Sequence, residues 1–246
     1  MLATACGASR SNALPANTAN PDRFLYERGQ AALKNQKWLD AREYFRQVVD
    51  NYPQSPLRPD AKLGVGDAYI GEKGAENFVL AANEFEEFLT FYPQSARADY
   101  AQYRLAMSHY MQMRAPDRDQ TETKEALKEF QAFFTRFPQS PLTPEVRQKW
   151  RESRDRLSEH NYRVGFHYYR IRWYTGAVDR FREVIKDDPE FSGRDRLYFH
   201  LADSIVRADN RRAAEALPYF QKVLDEFKTS EWAEKTQQRL QELKLQ

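Results

Sequence analysis

The sequence predicts an all-α fold built as a solenoid of helical hairpins, and three observations carry that expectation. The tetrapeptide Tyr52-Pro-Gln-Ser returns at 92–95 and, as Phe-Pro-Gln-Ser, at 137–140. A three-residue frame recurs at fixed steps as Ala41, Phe45, Val48; Ala81, Phe85, Phe88; Ala126, Phe130, Phe133; Ala177, Phe181, Val184; and Ala216, Phe220, Val223. A proline stands twelve residues after the alanine in the first four copies (Pro53, Pro93, Pro138, Pro189), where the fifth has Lys228.

Each element follows from local chemistry. Proline lacks an N–H and pushes the residue before it out of the α region, so helices are expected to stop near Tyr52, Tyr92 and Phe137. Serine is a good N-cap and proline suits the first helical position, so Ser55-Pro56 and Ser140-Pro141 read as the starts of the next helices. The frame places alanine, phenylalanine and the third residue on one helical stripe, where alanine admits a close neighbour and phenylalanine fills the space beside it. Each stripe has an apolar partner upstream, such as Phe24-Leu25, Gly29 and Ala32-Leu33 before the turn at 34–37, or Tyr162, Gly165 and Tyr168-Tyr169 before Tyr174. Helix, short turn, helix, proline resembles the tetratricopeptide signature. The units begin 40, 45, 51 and 39 residues apart, against about 34 for a minimal unit, so they carry insertions such as Gly71–Gly74 and Arg114–Gln120.

Between Pro144 and Arg172 no stop signal appears except Gly165. Val146, Trp150, Leu157, Val164 and Ile171 recur on one face, which predicts a single helix of roughly 29 residues and about 43 Å, the alternative being two helices broken near Ser158 or Gly165. It would join the third repeat to the fourth and divide the solenoid into two arms. The expected organisation is a tether at 1–20, repeats 1–3 at 21–140, and repeats 4–5 with a C-terminal capping helix at 141–246.

Composition narrows the function. Lys and Arg number 38 against 36 Asp and Glu, which gives no support for a nucleic-acid partner. No apolar run approaches the roughly 18 residues of a membrane span. Aromatic residues make up 14% of the chain and fall mostly at repeat core positions, so they read as core. One cysteine excludes an internal disulfide. The four histidines, His109, His160, His167 and His200, show no metal-ligand spacing. Gly64-Val-Gly66 fails as a phosphate loop because Tyr69 stands where the third glycine belongs; its small residues suit close helix packing. Asp117–Glu122 lacks the glycine and glutamate of a calcium loop and reads as a loop with Thr121 or Thr123 capping the next helix. No nucleophile has an evident base, so no enzyme, metal or cofactor is expected.

Small residues precede Cys6 in Met1-Leu-Ala-Thr-Ala-Cys6. They resemble a bacterial lipobox, with Leu2 one place further out than usual, and the chain is read as beginning inside a signal segment. On that reading Cys6 carries acyl chains such as palmitate, enough for stable anchoring, and the Ala-, Ser- and Asn-rich stretch Gly7–Asn20 is a flexible tether. Gly7, where an aspartate would resemble an inner-membrane retention signal, implies the outer membrane by analogy.

With these residues in view the chain resembles the BamD (YfiO) family, the tetratricopeptide lipoproteins of the outer-membrane β-barrel assembly machine. The likeness rests on the lipobox-like start, five units at uneven spacings, Arg118-Asp-Gln-Thr121, and LSEHNYRVGFHYYRIRWYTGAVDRF at 157–181. It implies a lipid-anchored, non-enzymatic scaffold at the periplasmic face of the outer membrane. The C-terminal repeats would dock the POTRA region of a BamA-like barrel protein, with other BAM lipoproteins in attendance, and the N-terminal repeats would bind unfolded outer-membrane protein substrates. The family's BamA-contacting arginine matches Arg180, which on its own chemistry reads as a solvated helix residue. Candidate groove residues on the first helices are Tyr26, Arg28, Tyr69, Tyr100, Tyr103 and Arg104, each of which also fits an ordinary packing role. Two other classes compete. A periplasmic repeat adaptor of the Tol or cell-division type would have shorter, more even repeats, and a helical-solenoid enzyme would need a second, catalytic domain.

Overall fold

Among residues 18–243, which the computed structural model describes, the chain forms five successive helical hairpins and a closing helix. The hairpins are α1 (Pro21–Lys34) with α2 (Trp38–Asn51), α3 (Arg58–Glu72) with α4 (Ala75–Phe91), and α5 (Ala98–Tyr110) with α6 (Thr121–Arg136). They continue as α7 (Thr143–Arg170) with α8 (Tyr174–Asp187) and α9 (Arg194–Ala208) with α10 (Ala213–Glu226), the latter entered through a 3₁₀ turn at Asn210–Arg212. The closing helix is α11 (Glu231–Glu242). The prolines act as expected: α2, α4, α6 and α8 all end two residues before Pro53, Pro93, Pro138 and Pro189. Among the described residues no helix is long and apolar enough to cross a membrane.

All fifteen residues of the repeated frame are buried, none more than 1% exposed. The phenylalanine is the centre of each unit. A Cβ built on Gly29 of α1 would lie 2.6 Å from the Phe45 ring, and one on Gly64 of α3 would lie 2.5 Å from it. Phe45 of α2 is therefore clamped between the first helix of its own hairpin and that of the next. Gly66 meets Phe85 at 2.6 Å and Gly165 meets Phe181 at 2.7 Å in the same way. Close approach of backbone to ring is what demands glycine there, since distances under about 3 Å between carbons lie inside van der Waals contact.

The repeated serine does a different job from the one expected. Ser55 and Ser140 are not helix N-caps: α3 and α7 begin three residues later, and Pro56 and Pro141 lie in the intervening turns. Their hydroxyls accept the N–H groups of Leu57 (3.1 Å) and Leu142 (3.2 Å) and donate to Asp22 Oδ2 (2.6 Å) and Asp99 Oδ2 (2.6 Å). Those aspartates sit in the first turns of α1 and α5, one hairpin back. A hydroxyl bonded to a carboxylate gains more than one bonded to a backbone amide, so the carboxylate sets its position. Ser230 repeats the tie to Asp195 (2.5 Å) and also caps α11.

α7 is one helix of 28 residues. It stops at Arg170, because Arg172 turns to a positive φ of 66° and the chain reverses. Ile171 therefore lies past the helix, 56% exposed, rather than on its packed face. Trp150, Leu157 and Val164 are only half-buried; the buried positions are Val146, Ser153, Ser158, Tyr162 and Gly165. The helix buries a stripe of small and hydroxyl-bearing residues because neighbouring rings approach it closely, as Phe181 does at Gly165.

The chain divides into two compact units, one of residues up to Gln112 with Lys128–Arg147, the other of Met113–Leu127 with Gln148 onward. Leu25, Phe45, Leu63, Phe85 and Phe88 centre the first core. Tyr162, Phe181, Phe191, Leu201 and Phe220 centre the second.

Gly64→Ala forces a methyl group into the Phe45 ring and is expected to cost about 1–3 kcal/mol, as overpacking does. Thermal unfolding measured by circular dichroism checks this. Adding Phe45→Leu to the same chain should restore part of the loss, whereas strictly additive losses would refute the contact.

Candidate functional site

In the first unit, α1, α3 and α5 lie side by side, and charged pairs run across them. Asp60 of α3 accepts from Arg97 at 3.0 Å. Asp67 accepts the Tyr100 hydroxyl at 2.8 Å and Arg104 Nε at 2.8 Å. Burial pushes the Asp67 carboxyl up, against the pull of Arg104 and Tyr100. Burial, with Asp67 beside it, also pushes the Tyr100 phenol up. The Arg97 guanidinium stacks over the Tyr100 ring at 4.7 Å. Tyr26 packs its ring 5.7 Å from Phe45, and its hydroxyl accepts from Gln30 at 3.0 Å. It also lines an open hollow of about 480 Å³ with Glu27, Gln30, Pro56 and Leu57.

The sequence-chosen groove residues thus fall into different surroundings. Tyr100 and Arg104 meet on Asp67, and Tyr26 lies near them beside Asp60 and Arg97. Tyr103 is buried and donates to Glu145 Oε1 at 2.6 Å. Tyr69 is buried, accepts from Arg46 at 3.0 Å and lies 4.5 Å beneath Arg42. Arg28 is exposed over the Phe24 ring at 5.2 Å. The carboxylate that organises two of them, Asp67, was not picked out from the sequence; its spacing of 33 and 37 residues from Tyr100 and Arg104 becomes meaningful only once the hairpins are stacked.

In the second unit the 157–181 stretch is a set of internal ties. Ser158 donates to Asp188 at 2.5 Å, and Arg151 holds the same carboxylate at 2.9 Å. Burial would raise Asp188, but these donors leave it below the ordinary carboxylate range. Glu159 pairs with Arg196 and Arg163. His160 Nδ1 lies 2.7 Å from the Pro116 carbonyl, and Arg156 donates to the Arg114 carbonyl at 2.7 Å, fixing the loop before α6. Within that loop the Gln120 amide donates to the carbonyls of Ala115 and Arg118, both at 2.9 Å, and its oxygen accepts the Thr123 hydroxyl at 2.9 Å. Thr123 is therefore spent on Gln120, and Thr121, the first residue of α6, donates to Asp119 at 3.0 Å. Tyr169 donates to the buried Asp203 at 2.5 Å, which also accepts from Arg207 at 2.5 Å and Arg239 at 2.6 Å.

His200 is the centre of an aromatic shell, with Phe166, Tyr169 and Trp232 at 4.9, 5.0 and 4.8 Å. Its Nδ1 lies 2.8 Å from the Arg196 carbonyl, which only accepts, so Nδ1 carries the proton. Burial lowers its pKa to about 4.

Arg180 lies on the exposed side of α8. Its Nη1 donates to Glu183 Oε2 at 2.9 Å, one turn along the helix, and its Cβ lies 3.2 Å from where a Gly165 side chain would begin. Cys6 lies outside the described residues.

Stacked hairpins with a buried Ala-Phe frame and proline stops define a tetratricopeptide-repeat protein. The chain belongs to the YfiO family, described as outer membrane lipoprotein, whose profile matches residues 18–202. A Caulobacter vibrioides protein named outer membrane protein assembly factor BamD is 28% identical over 187 residues, 76% of this chain and 60% of that protein. The chain thus spans less than two thirds of this relative's length. A Vibrio cholerae protein of the same name is 24% identical over 180 residues, 69% of this chain and 73% of its own. The TPR2AB domain of yeast Sti1, solved in complex with pHSP90, is 13% identical and aligns with a TM-score of 0.49 over 90% of this chain and 84% of that one.

With a folded pKa of about 4 against an ordinary 6.5, His200 takes up a proton in the unfolded chain first. Its contribution to stability is whole above pH 6.5, declines as pH falls toward 4, and is constant below, a loss of about 3 kcal/mol at most. The unfolding free energy of the unaltered chain relative to His200→Gln, measured by urea titration from pH 7 to pH 4, should fall by that amount. A pH-independent difference would contradict the assignment.

Proposed function

We infer that this chain is a non-enzymatic scaffold in the assembly of outer-membrane proteins. The observation that carries the reading is the YfiO family match across residues 18–202 on a tetratricopeptide fold, together with relatives that are named outer membrane protein assembly factors. On this reading Cys6 bears the lipid anchor that holds the chain at the periplasmic face of the outer membrane. Residues 141–246 dock the POTRA region of a BamA-like barrel protein beside other lipoproteins of the machine, and residues 21–140 receive unfolded barrel substrates.

Arg180 suits the docking role. Among the described residues its ion pair is an exposed i,i+3 contact with Glu183, and such pairs contribute little, so a partner's carboxylate can displace Glu183 at small cost. The face of α1, α3 and α5 suits the substrate role. Its paired carboxylates and guanidinium groups match the amides and carbonyls of an extended segment, and the hollow beside Tyr26 receives a side chain.

Co-purification of the full-length, membrane-anchored protein should bring down a POTRA-barrel protein in near-equal amount. Arg180→Glu is expected to weaken binding to the isolated POTRA region by about tenfold or more without lowering helicity. Unchanged affinity would take Arg180 out of the interface, and recovery of Tol or peptidoglycan proteins alone would refute the assembly reading.

A further inference from the structure

The turn between α7 and α8 breaks the pattern of its own repeat. Four residues before the frame alanine stand Lys37, Asn77, Glu122 and Arg212 in the other units, and Trp173 in the fourth. A position that is polar in the other units carries here a tryptophan, 53% exposed. The preceding Ile171 is 56% exposed. Isolated exposed apolar residues are ordinary, but adjoining ones mark interaction surfaces.

The tryptophan is held, not loose. Its ring centroid lies 4.6 Å from that of Tyr168, and a side chain on Gly176 would meet it at 2.8 Å. The ring is thus seated on α7 and α8 with the rest of its surface open. Tyr168 in turn lies beside the Arg180 guanidinium, so Trp173, Tyr168 and Arg180 form one continuous surface within the second unit. Arg170 and Arg172 flank Ile171 and are exposed, and among the described residues neither is paired with a carboxylate.

The geometry points to the turn Arg170-Ile-Arg-Trp173, with Tyr168, as a docking anchor for a protein partner that presents carboxylates around an apolar depression, and to that partner being the one that Arg180 contacts. This rests on the assembly reading and extends it. Charge complementarity favours an acidic partner: two unpaired guanidinium groups border the apolar residues, and Arg180 continues the positive edge. Tryptophan and arginine are also the residues in which interface binding energy concentrates. A lipid surface fits less well, because a ring laid against Gly176 and Tyr168 projects little into a bilayer.

The test measures binding of the full chain to the purified POTRA region of the BamA-like protein, with far-UV circular dichroism as a folding control. Trp173→Ala is expected to weaken binding by about tenfold or more. Arg170→Glu should weaken it further at low salt than at high salt. Lys37→Ala, at the matching place in the first repeat, should leave it unchanged. If Trp173→Ala lowers helicity, Arg170→Glu decides alone, since that side chain is exposed. Binding that neither substitution alters overturns the anchor while the assembly reading stands. No binding by the unaltered chain, with Arg180 intact, overturns both. Loss of binding to phosphatidylglycerol vesicles, or of self-association, with POTRA binding unaltered, overturns the protein anchor in favour of a lipid surface or a second copy.

Discussion

The burial of one phenylalanine at the middle of each second helix governs this structure. In three of the five hairpins that ring, Phe45, Phe85 or Phe181, takes room that only a residue without a side chain can leave, and Gly29, Gly64, Gly66 and Gly165 supply it; among the described residues Phe130 and Phe220 are buried without a facing glycine. Where one ring is faced by glycines of two successive first helices, as Phe45 is, a single side chain fixes both the angle within a hairpin and the seat of the next one. Helix propensity works against this arrangement, since glycine in a helix interior costs about 1 kcal/mol relative to alanine. Burial of the ring, worth roughly 1.5–3 kcal/mol, offsets it. The repeats are held in register by packing that the isolated helices would not choose.

Such a design explains how far the sequence could be read. The frame residues, the proline stops and the length of α7 follow from period and punctuation, which are local properties. The hydroxyl of Ser55 reads from sequence as a helix N-cap, which it is not, and its partner Asp22 is not legible, because that carboxylate lies 33 residues away and is brought near only by stacking. The same holds for Asp67 under Tyr100 and Arg104, and for Asp203 under Tyr169. Ile171 fits an apolar heptad step yet lies beyond the helix, since a single left-handed residue at Arg172 ends the regular backbone. Sequence spacing names the residue types at a surface; whether a given tyrosine offers its hydroxyl outward or spends it on a neighbour is settled by residues one hairpin away.

The stretch at 157–181, which most distinguishes the family likeness, is for the most part structural. Ser158, Glu159, His160, Tyr162 and Tyr169 are engaged with Asp188, Arg196, Pro116, His200 and Asp203. Its exposed remainder, Arg170–Trp173 and Arg180, stands on that scaffolding. A rigid base under a few outward side chains lowers the entropy lost when a partner binds, so on the proposed docking role the internal ties would serve recognition without touching the partner.

One break in the serine pattern has its own consequence. Asp22, Asp99 and Asp195 receive a hydroxyl from the following repeat, but Asp60, at the equivalent place, receives the Arg97 guanidinium instead. Hydroxyl-to-carboxylate bonds are nearly blind to dissolved ions, whereas an exposed ion pair weakens as counterions screen it. Among the aspartates of this pattern, Asp60 is therefore the one whose tie, between the second and third hairpins, depends on the surrounding electrolyte. Added salt would loosen the Asp60–Arg97 tie and leave the three serine ties nearly unchanged.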